Sequence, residues 1–137
     1  MKIKLAFLLI SMFILPAFGS INLIGYHKND IKDIMKSQKT GFYFNKELDN
    51  GRVRFIKYVD NYGDKTLIYV LNQADTCYYF LVMYDYSLLE EVVEQLNKTC
   101  TKEEEYIWSE SLDNENYTIK LKKNEWYFTV VTRRKNP

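Results

Sequence analysis

The stretch TCYYFLVMYDYSLLEEVVEQLNKTC, residues 76–100, holds the two strongest structural patterns of the chain and both of its cysteines. From Cys77 to Tyr84 it is continuously apolar or aromatic, which indicates a strand in the centre of a sheet. The apolar residues that follow recur at helical spacing on one face, namely Leu88, Leu89, Val92, Val93 and Leu96. Ser87 and Glu90 have the spacing of a capping box, so the helix is predicted to begin there.

The chain upstream of this stretch, from residue 42 to residue 75, is rich in aromatic and β-branched residues, which favour strands. Turn signals interrupt it at three places: residues 49–51, 61–64 and 72–75. Asn50-Gly51 is typical of a type I′ turn, because such a turn needs positive φ at two successive residues. The pattern predicts a meander of three or four antiparallel strands.

A first helix is predicted before this meander. Asn29 or Asp30 can cap its N-terminus, and Gly41 is a natural stop. The segment IGYHKNDIKDIM, residues 24–35, resembles the short opening helix of units found in β-lactamase-inhibitor-like and outer-membrane-assembly proteins. The order of helices and strands is also similar in outline to the type III secretion chaperone-like fold. No functional residue is carried over from either architecture.

The chain after Cys100 returns to strand patterns. The acidic run at residues 102–105 is interpreted as a solvated connector, and strands are predicted over residues 105–111, 116–123 and 125–134. Together these patterns predict an α+β fold in the order α-βββ(β)-α-βββ. Its antiparallel sheet has about six or seven strands, and its two helices pack on one face.

The first twenty residues have the three parts of a secretory signal peptide. Two lysines precede an apolar run over residues 5–15, and small residues stand three and one positions before a cut at Ser20. We therefore expect residues 1–19 to be removed and residues 20–137 to form a single domain that is secreted or periplasmic. A membrane-spanning helix would need about 20 apolar residues. A lipoprotein is not expected, because no cysteine stands at the cut.

The charge balance bears on the kind of partner. The expected signal peptide contains two of the 19 basic residues and none of the 18 acidic ones, which leaves 17 basic and 18 acidic residues. This near-neutral balance argues against nucleic-acid binding, whose affinity comes largely from neutralised phosphates. It gives no reason to expect a polybasic membrane-surface protein either. The composition, rich in lysine and asparagine and poor in proline, indicates a bacterial origin.

The two cysteines are expected to form a disulfide. The predicted strand leads away from Cys77 for about 26 Å, and the helix that follows leads back about 17 Å. Cys100 should therefore end near the level of Cys77, and an oxidising compartment would preserve the bond. Two buried thiols, or a reactive or metal-binding pair, are the alternatives. A disulfide needs Cα atoms within about 7 Å of each other.

Candidate catalytic groups are few. His27 is the single histidine, and it is interpreted as a solvated residue at the entry to the first helix. No metal-type spacing, nucleophile elbow or phosphate-binding glycine loop is present in the sequence, so neither a metal nor a cofactor is expected. The enzymatic alternative is a small hydrolase that uses carboxylates, or His27 with a cysteine.

The aromatic residues suggest a binding surface. Alternation along residues 117–131 predicts that Trp126, Phe128 and Val130 face the core, and that an outer face carries Thr118, Lys120, Lys122, Tyr127, Thr129 and Val131. Tyrosine supplies contact area with a polar tip, which suits recognition. The candidate binding residues are therefore Lys120, Lys122, Tyr127 and Thr129. The alternative is that these tyrosines only shield the sheet.

These patterns lead to one functional hypothesis. The chain is expected to be a small exported binding module without catalysis, whose ligand is a protein or a cell-envelope component. A narrower version is an inhibitor of a secreted enzyme. We expect a monomer or a weak homo-oligomer, without a membrane span once the signal peptide is removed.

Overall fold

The computed structural model describes residues 21–136. The predicted signal peptide, residues 1–19, lies outside the described residues. Two helices are present, α1 (Lys28–Ser37) and α2 (Leu89–Thr99), the second preceded by a 3-10 turn at Tyr86–Leu88. The strands are β1 (Tyr43–Asp49), β2 (Arg54–Val59), β3 (Lys65–Leu71), β4 (Cys77–Asp85), β5 (Thr101–Glu104), β6 (Ile107–Leu112), β7 (Glu115–Lys123) and β8 (Tyr127–Arg134).

All eight strands form one antiparallel sheet in the order β1-β2-β3-β4-β8-β7-β6-β5. The predicted α+β class and the antiparallel sheet are confirmed. The additional strand is β5, which was interpreted as a connector. All four of its residues are polar or charged, and it lies exposed at the edge of the sheet. Apolar alternation could not indicate it, whereas its charges suit an edge strand that must not pair with another chain.

The chain has the same element order twice, a helix followed by a four-stranded meander. The last strands of the two meanders, β4 and β8, pair antiparallel in the middle of the sheet. This arrangement is expected for two halves related by an approximate two-fold axis perpendicular to the sheet. Because such an axis keeps both helices on one face, it also explains the predicted packing of the helices on the same side.

The core lies between this face and the helices. A row of directly paired, fully buried residues crosses six strands: Ile56, Tyr69, Phe80, Thr132, Ile119 and Trp108. From the helices, Ile31 and Met35 of α1 and Val92 and Leu96 of α2 are buried in the same cluster. Each pair is spaced i, i+4, which places both members on one helical face.

The segment before α1 belongs to the core as well. Ile21, Leu23 and Ile24 are buried. The Tyr69 hydroxyl donates a 2.8 Å hydrogen bond to the Ile21 carbonyl, and the Cys77 amide donates to the Tyr26 carbonyl at 2.9 Å. Hydrogen bonds therefore fix the segment before α1 to β3 and β4.

The helix starts differ from the predicted ones. His27 caps α1, since its Nδ1 accepts a 3.1 Å hydrogen bond from the Asn29 amide. The predicted capping box of Ser87 and Glu90 is wrong, because Ser87 lies in the 3-10 turn and α2 begins two residues later. Asp85 caps that turn instead, accepting from the Ser87 amide at 2.9 Å.

The type I′ turn is also misplaced in the prediction. β1 and β2 are joined by residues 50–53, and of these Gly51 adopts positive φ, at 86°. Positive φ at two successive residues occurs at Asp113 and Asn114, which join the paired residues Leu112 and Glu115. The tight hairpin therefore lies between β6 and β7.

The predicted disulfide is wrong, since Cys77 and Cys100 are free thiols. The expected return of α2 onto its own strand does not occur. Instead α2 carries the chain from β4 to β5, across three intervening strands. Four spacings of about 4.8 Å separate these two strands by about 19 Å, which is too far for a disulfide.

Candidate functional site

The sheet face opposite the helices is here called the open face. No element within residues 21–136 packs over it, because both helices and the segment 21–24 belong to the core cluster on the other face. Its centre is apolar and partly buried, formed by Leu81 and Met83 of β4 and Val131 of β8. Four cationic side chains project from the same face around this centre: Lys57, Lys120, Lys122 and Arg133.

The four predicted binding residues lie together on this face. Lys122 of β7 is the direct cross-strand partner of Thr129 of β8. Lys120 stands two residues from Lys122, and Tyr127 stands two residues from Thr129, so all four side chains project from the same side of two adjacent strands. The predicted inward positions of Phe128 and Val130 are confirmed, since both are buried while Thr129 between them is not.

On the central strands β4, β8 and β7, the charged side chains of the open face are mostly cations. On β4, β8 and β7 within the described chain, the one acidic residue of this face is Asp85, at its margin. The Ser87 hydrogen bonds hold the pKa of Asp85 below its ordinary value, so this carboxyl is charged. The Arg133 guanidinium lies 3.9 Å from the centroid of the Tyr79 ring, and this cation–π contact orients it along the face.

Sequence reasoning missed one candidate residue. Trp126 was expected to face the core, but it precedes β8 in the β7–β8 turn and is 79 % exposed. It is adjacent to Tyr127, which is 37 % exposed. Asn124, which favours turns, stands two residues before Trp126 and could have indicated that this tryptophan lies in the turn. A large exposed aromatic side chain beside a mixed polar surface is a typical interface anchor.

Two groups of the enzymatic alternative, Cys77 and His27, have other partners. The Cys77 thiol is 1 % exposed and lies 3.3 Å from the Tyr79 carbonyl oxygen, to which it donates. Burial raises the pKa of this thiol to about 12, which disfavours the nucleophilic thiolate. The Nδ1 atom of His27 accepts the helix-capping hydrogen bond. In this arrangement neither group activates the other.

The clustered charges near α1 have structural partners. Glu47 accepts hydrogen bonds from Lys28 at 2.9 Å and from Lys32 at 2.5 Å, and so links β1 to α1. Asp75 lies 3.0 Å from Arg54 and 3.7 Å from Lys28. Within residues 21–136, no group of three or more His, Cys, Asp or Glu residues is arranged to hold a metal ion.

The part of the chain that the structure describes contains no helix with the length and apolarity needed to cross a bilayer. The chain matches no protein-family model, no curated protein and no solved structure. The open face therefore has to be interpreted from its own chemistry.

Proposed function

We propose that this protein is an exported, non-catalytic binding module whose open face holds an acidic surface of a partner protein. The observation that carries the proposal is the cluster of Lys120, Lys122, Tyr127 and Thr129 on two adjacent strands, next to an uncovered apolar centre.

The chemistry of this cluster supports a protein partner. The apolar centre supplies area that gains free energy when it is removed from water. Tyr127 and Trp126 supply large aromatic contacts, which dominate the affinity of many interfaces. The lysines and Arg133 select a partner surface of opposite charge and accelerate the encounter with it.

The export part of the proposal rests on residues 1–19, and it places the module in the periplasm or outside the cell. An inhibitor of a secreted enzyme is the narrower form of the same proposal. The alternative, a hydrolase that uses carboxylates or His27 with a cysteine, gains no support from the buried Cys77 thiol.

The test uses charge reversal on the open face. The purified protein is immobilised, envelope and culture-fluid extracts are passed over it, and the retained proteins are identified and then purified for binding measurements. The Lys120→Glu/Lys122→Glu variant is compared with a matched variant, Lys98→Glu/Lys102→Glu, whose exposed lysines lie on α2 and β5.

The proposal expects the wild type and the matched variant to retain the same partner, and the open-face variant to lose it. Added salt should weaken the wild-type complex, because exposed charges are screened over about 8–10 Å at moderate ionic strength. Equal retention by the open-face variant would contradict the proposal.

A further inference from the structure

A second candidate site lies on the other side of the sheet, in the first half of the chain. A groove of about 1010 Å³ separates the C-terminal part of α1 from β1 and β2. Its floor is apolar, formed by Met35, Phe42, Phe44 and Tyr58. Phe44 packs edge-on against Tyr58 with ring centroids 5.9 Å apart, and about half of its surface stays exposed. This volume and lining are typical of sites that bind small apolar molecules.

Comparison of the two halves explains why the groove exists. In the second half, α2 ends at Thr99 and β5 begins at Thr101. In the first half, α1 ends at Ser37 and β1 begins only at Tyr43, and the connecting residues 38–42 line the groove. Five residues therefore connect the helix to the edge strand in the first half, against one residue in the second half.

The side chains differ between the halves in the same way. The residue after the second buried position of α2 is Asn97, which bonds to the fully buried Trp108. The corresponding residue of α1, which follows Met35, is Lys36, and it lines the groove. In the second half this helix position is therefore bonded to a buried indole ring, whereas in the first half it carries an exposed lysine.

The rim of the groove is cationic. Lys32, Lys36 and Lys39 line it, and no acidic residue of the described chain does. Lys32 is already ion-paired with Glu47. Within residues 21–136, Lys36 and Lys39 have no acidic partner within ion-pair distance, so their ammonium groups can accept an anion from solution.

The edge of the sheet helps to select the kind of ligand. An extended peptide would need a regular run of free backbone groups on the edge strand β1. The register of β1 shifts between Phe44 and Lys46, where a β-bulge interrupts that run beside the groove. A flexible molecule that needs no backbone pairing fits this geometry better than a peptide strand.

We propose that the groove binds a long-chain fatty acid, with its carboxylate between Lys36 and Lys39 and its hydrocarbon chain on the floor formed by Met35, Phe44 and Tyr58. This site is independent of the open face, because it lies on the helix side of the sheet.

The test is a fluorescence titration of the purified protein with cis-parinarate, followed by displacement with oleate and with oleyl alcohol. The alcohol has the same hydrocarbon chain as oleate but no charge. Saturable binding is expected, with oleate displacing the probe more effectively than the alcohol.

Two variants make the test specific. Lys36→Gln/Lys39→Gln should lower the affinity for oleate about tenfold, as expected for loss of hydrogen bonds to a charged group, and should change the affinity for the alcohol little. Lys98→Gln/Lys102→Gln removes the same charge from the second half and should bind oleate like the wild type. Phe44→Asp alters a half-exposed floor residue and should lower oleate binding while the protein stays folded.

Three results would overturn the proposal: non-saturable binding, equal displacement by oleate and the alcohol, or unchanged oleate affinity in the Lys36→Gln/Lys39→Gln variant. The circular dichroism spectrum of each variant, recorded beside the titration, distinguishes a lost site from a lost fold.

Discussion

The indole Nε1–H of Trp108 donates a 2.9 Å hydrogen bond to the side-chain Oδ1 of Asn97. This bond joins the fully buried ring on β6 to the last turn of α2, and it satisfies the one polar atom of that ring. The second helix is thereby fixed in position over the second half of the sheet.

Asn97→Ala should destabilise the protein, because the indole N–H would lose its partner inside the core. We expect the free energy of unfolding to fall by about 1–3 kcal/mol, measured by urea unfolding monitored by tryptophan fluorescence. Alanine favours helix more than asparagine does, so the measured loss is a lower bound. Lys98→Ala, at the neighbouring exposed position, is the control. An unchanged midpoint for Asn97→Ala would show that the bond contributes nothing.

Thr132→Val should stabilise the protein. Thr132 is 1 % exposed in the row between Phe80 and Ile119, and its hydroxyl has no hydrogen-bond partner within residues 21–136. Valine has nearly the same shape and removes an unsatisfied polar group, which should raise the free energy of unfolding by about 1 kcal/mol or more.

Thr129→Val is the matched control for this change, since Thr129 lies on the same strand but on the open face. Its hydroxyl reaches solvent, so the substitution should change the free energy of unfolding little. Destabilisation by Thr132→Val would mean that the hydroxyl is hydrogen-bonded in solution.

Acid should weaken the fold through Glu47. The hydrogen bonds from Lys32 and Lys28 hold the pKa of Glu47 below its ordinary value of 4.5. These bonds therefore stabilise the folded protein fully when the pH is above the pKa that Glu47 has in the unfolded chain. Their contribution to the free energy of unfolding is lost as the pH falls through the lower pKa of Glu47 in the folded protein. When urea unfolding is measured from neutral pH to about pH 3, the free energy of unfolding should fall less in Glu47→Gln than in the wild type.

In the same experiment, Glu110 should have the opposite effect on how the free energy of unfolding depends on pH. Burial raises the pKa of this residue above 4.5, so its charged form opposes folding once the pH exceeds the pKa of the unfolded chain. Glu110→Gln should therefore be more stable than the wild type at neutral pH, and this difference should disappear in acid. If the free energy of unfolding depended on pH in the same way in both glutamine variants, the opposite roles of Glu47 and Glu110 would be contradicted.

The two thiols should differ in reactivity. In native protein at neutral pH, iodoacetamide should modify the half-exposed Cys100 slowly and Cys77 hardly at all, because burial raises the pKa of both thiols, that of Cys77 to about 12. In urea both should react, and mass spectrometry should find two adducts. A native protein that lacks two hydrogens and gains no adduct in urea until it is reduced would instead contain a disulfide.

Much of the architecture could be predicted from local patterns. Of the six turns between strands within the two meanders, all but the one between β5 and β6 contain Asn, Asp or Gly, and both helices follow apolar stripes. These signals are local, since they depend on backbone preferences and on alternation within a few residues. The ion pair of Glu94 and Lys98, with 3.2 Å between Oε1 and Nζ, is local in the same sense, since the two residues are four positions apart on α2.

The errors concern relations between distant elements. The disulfide prediction assumed that a helix returns to its own strand, and no pattern within residues 76–100 indicates that β8, β7 and β6 separate β4 from β5. The groove was missed for the same reason, because it depends on the length of the connection from Ser37 to Tyr43 relative to its counterpart after Thr99. Trp126 was misassigned by extending the alternation of β8 one residue too far into the turn.

The position of β8 has a consequence for biosynthesis. It is separated from β4 in the chain by α2 and three strands, and yet it lies directly against β4 in the middle of the sheet. During synthesis, the long, apolar β4 therefore emerges well before this neighbour and stays unpaired on that side until β8 has been made, and an unpaired apolar strand promotes aggregation. A factor that holds the nascent polypeptide unfolded until β8 has emerged would protect it from this aggregation.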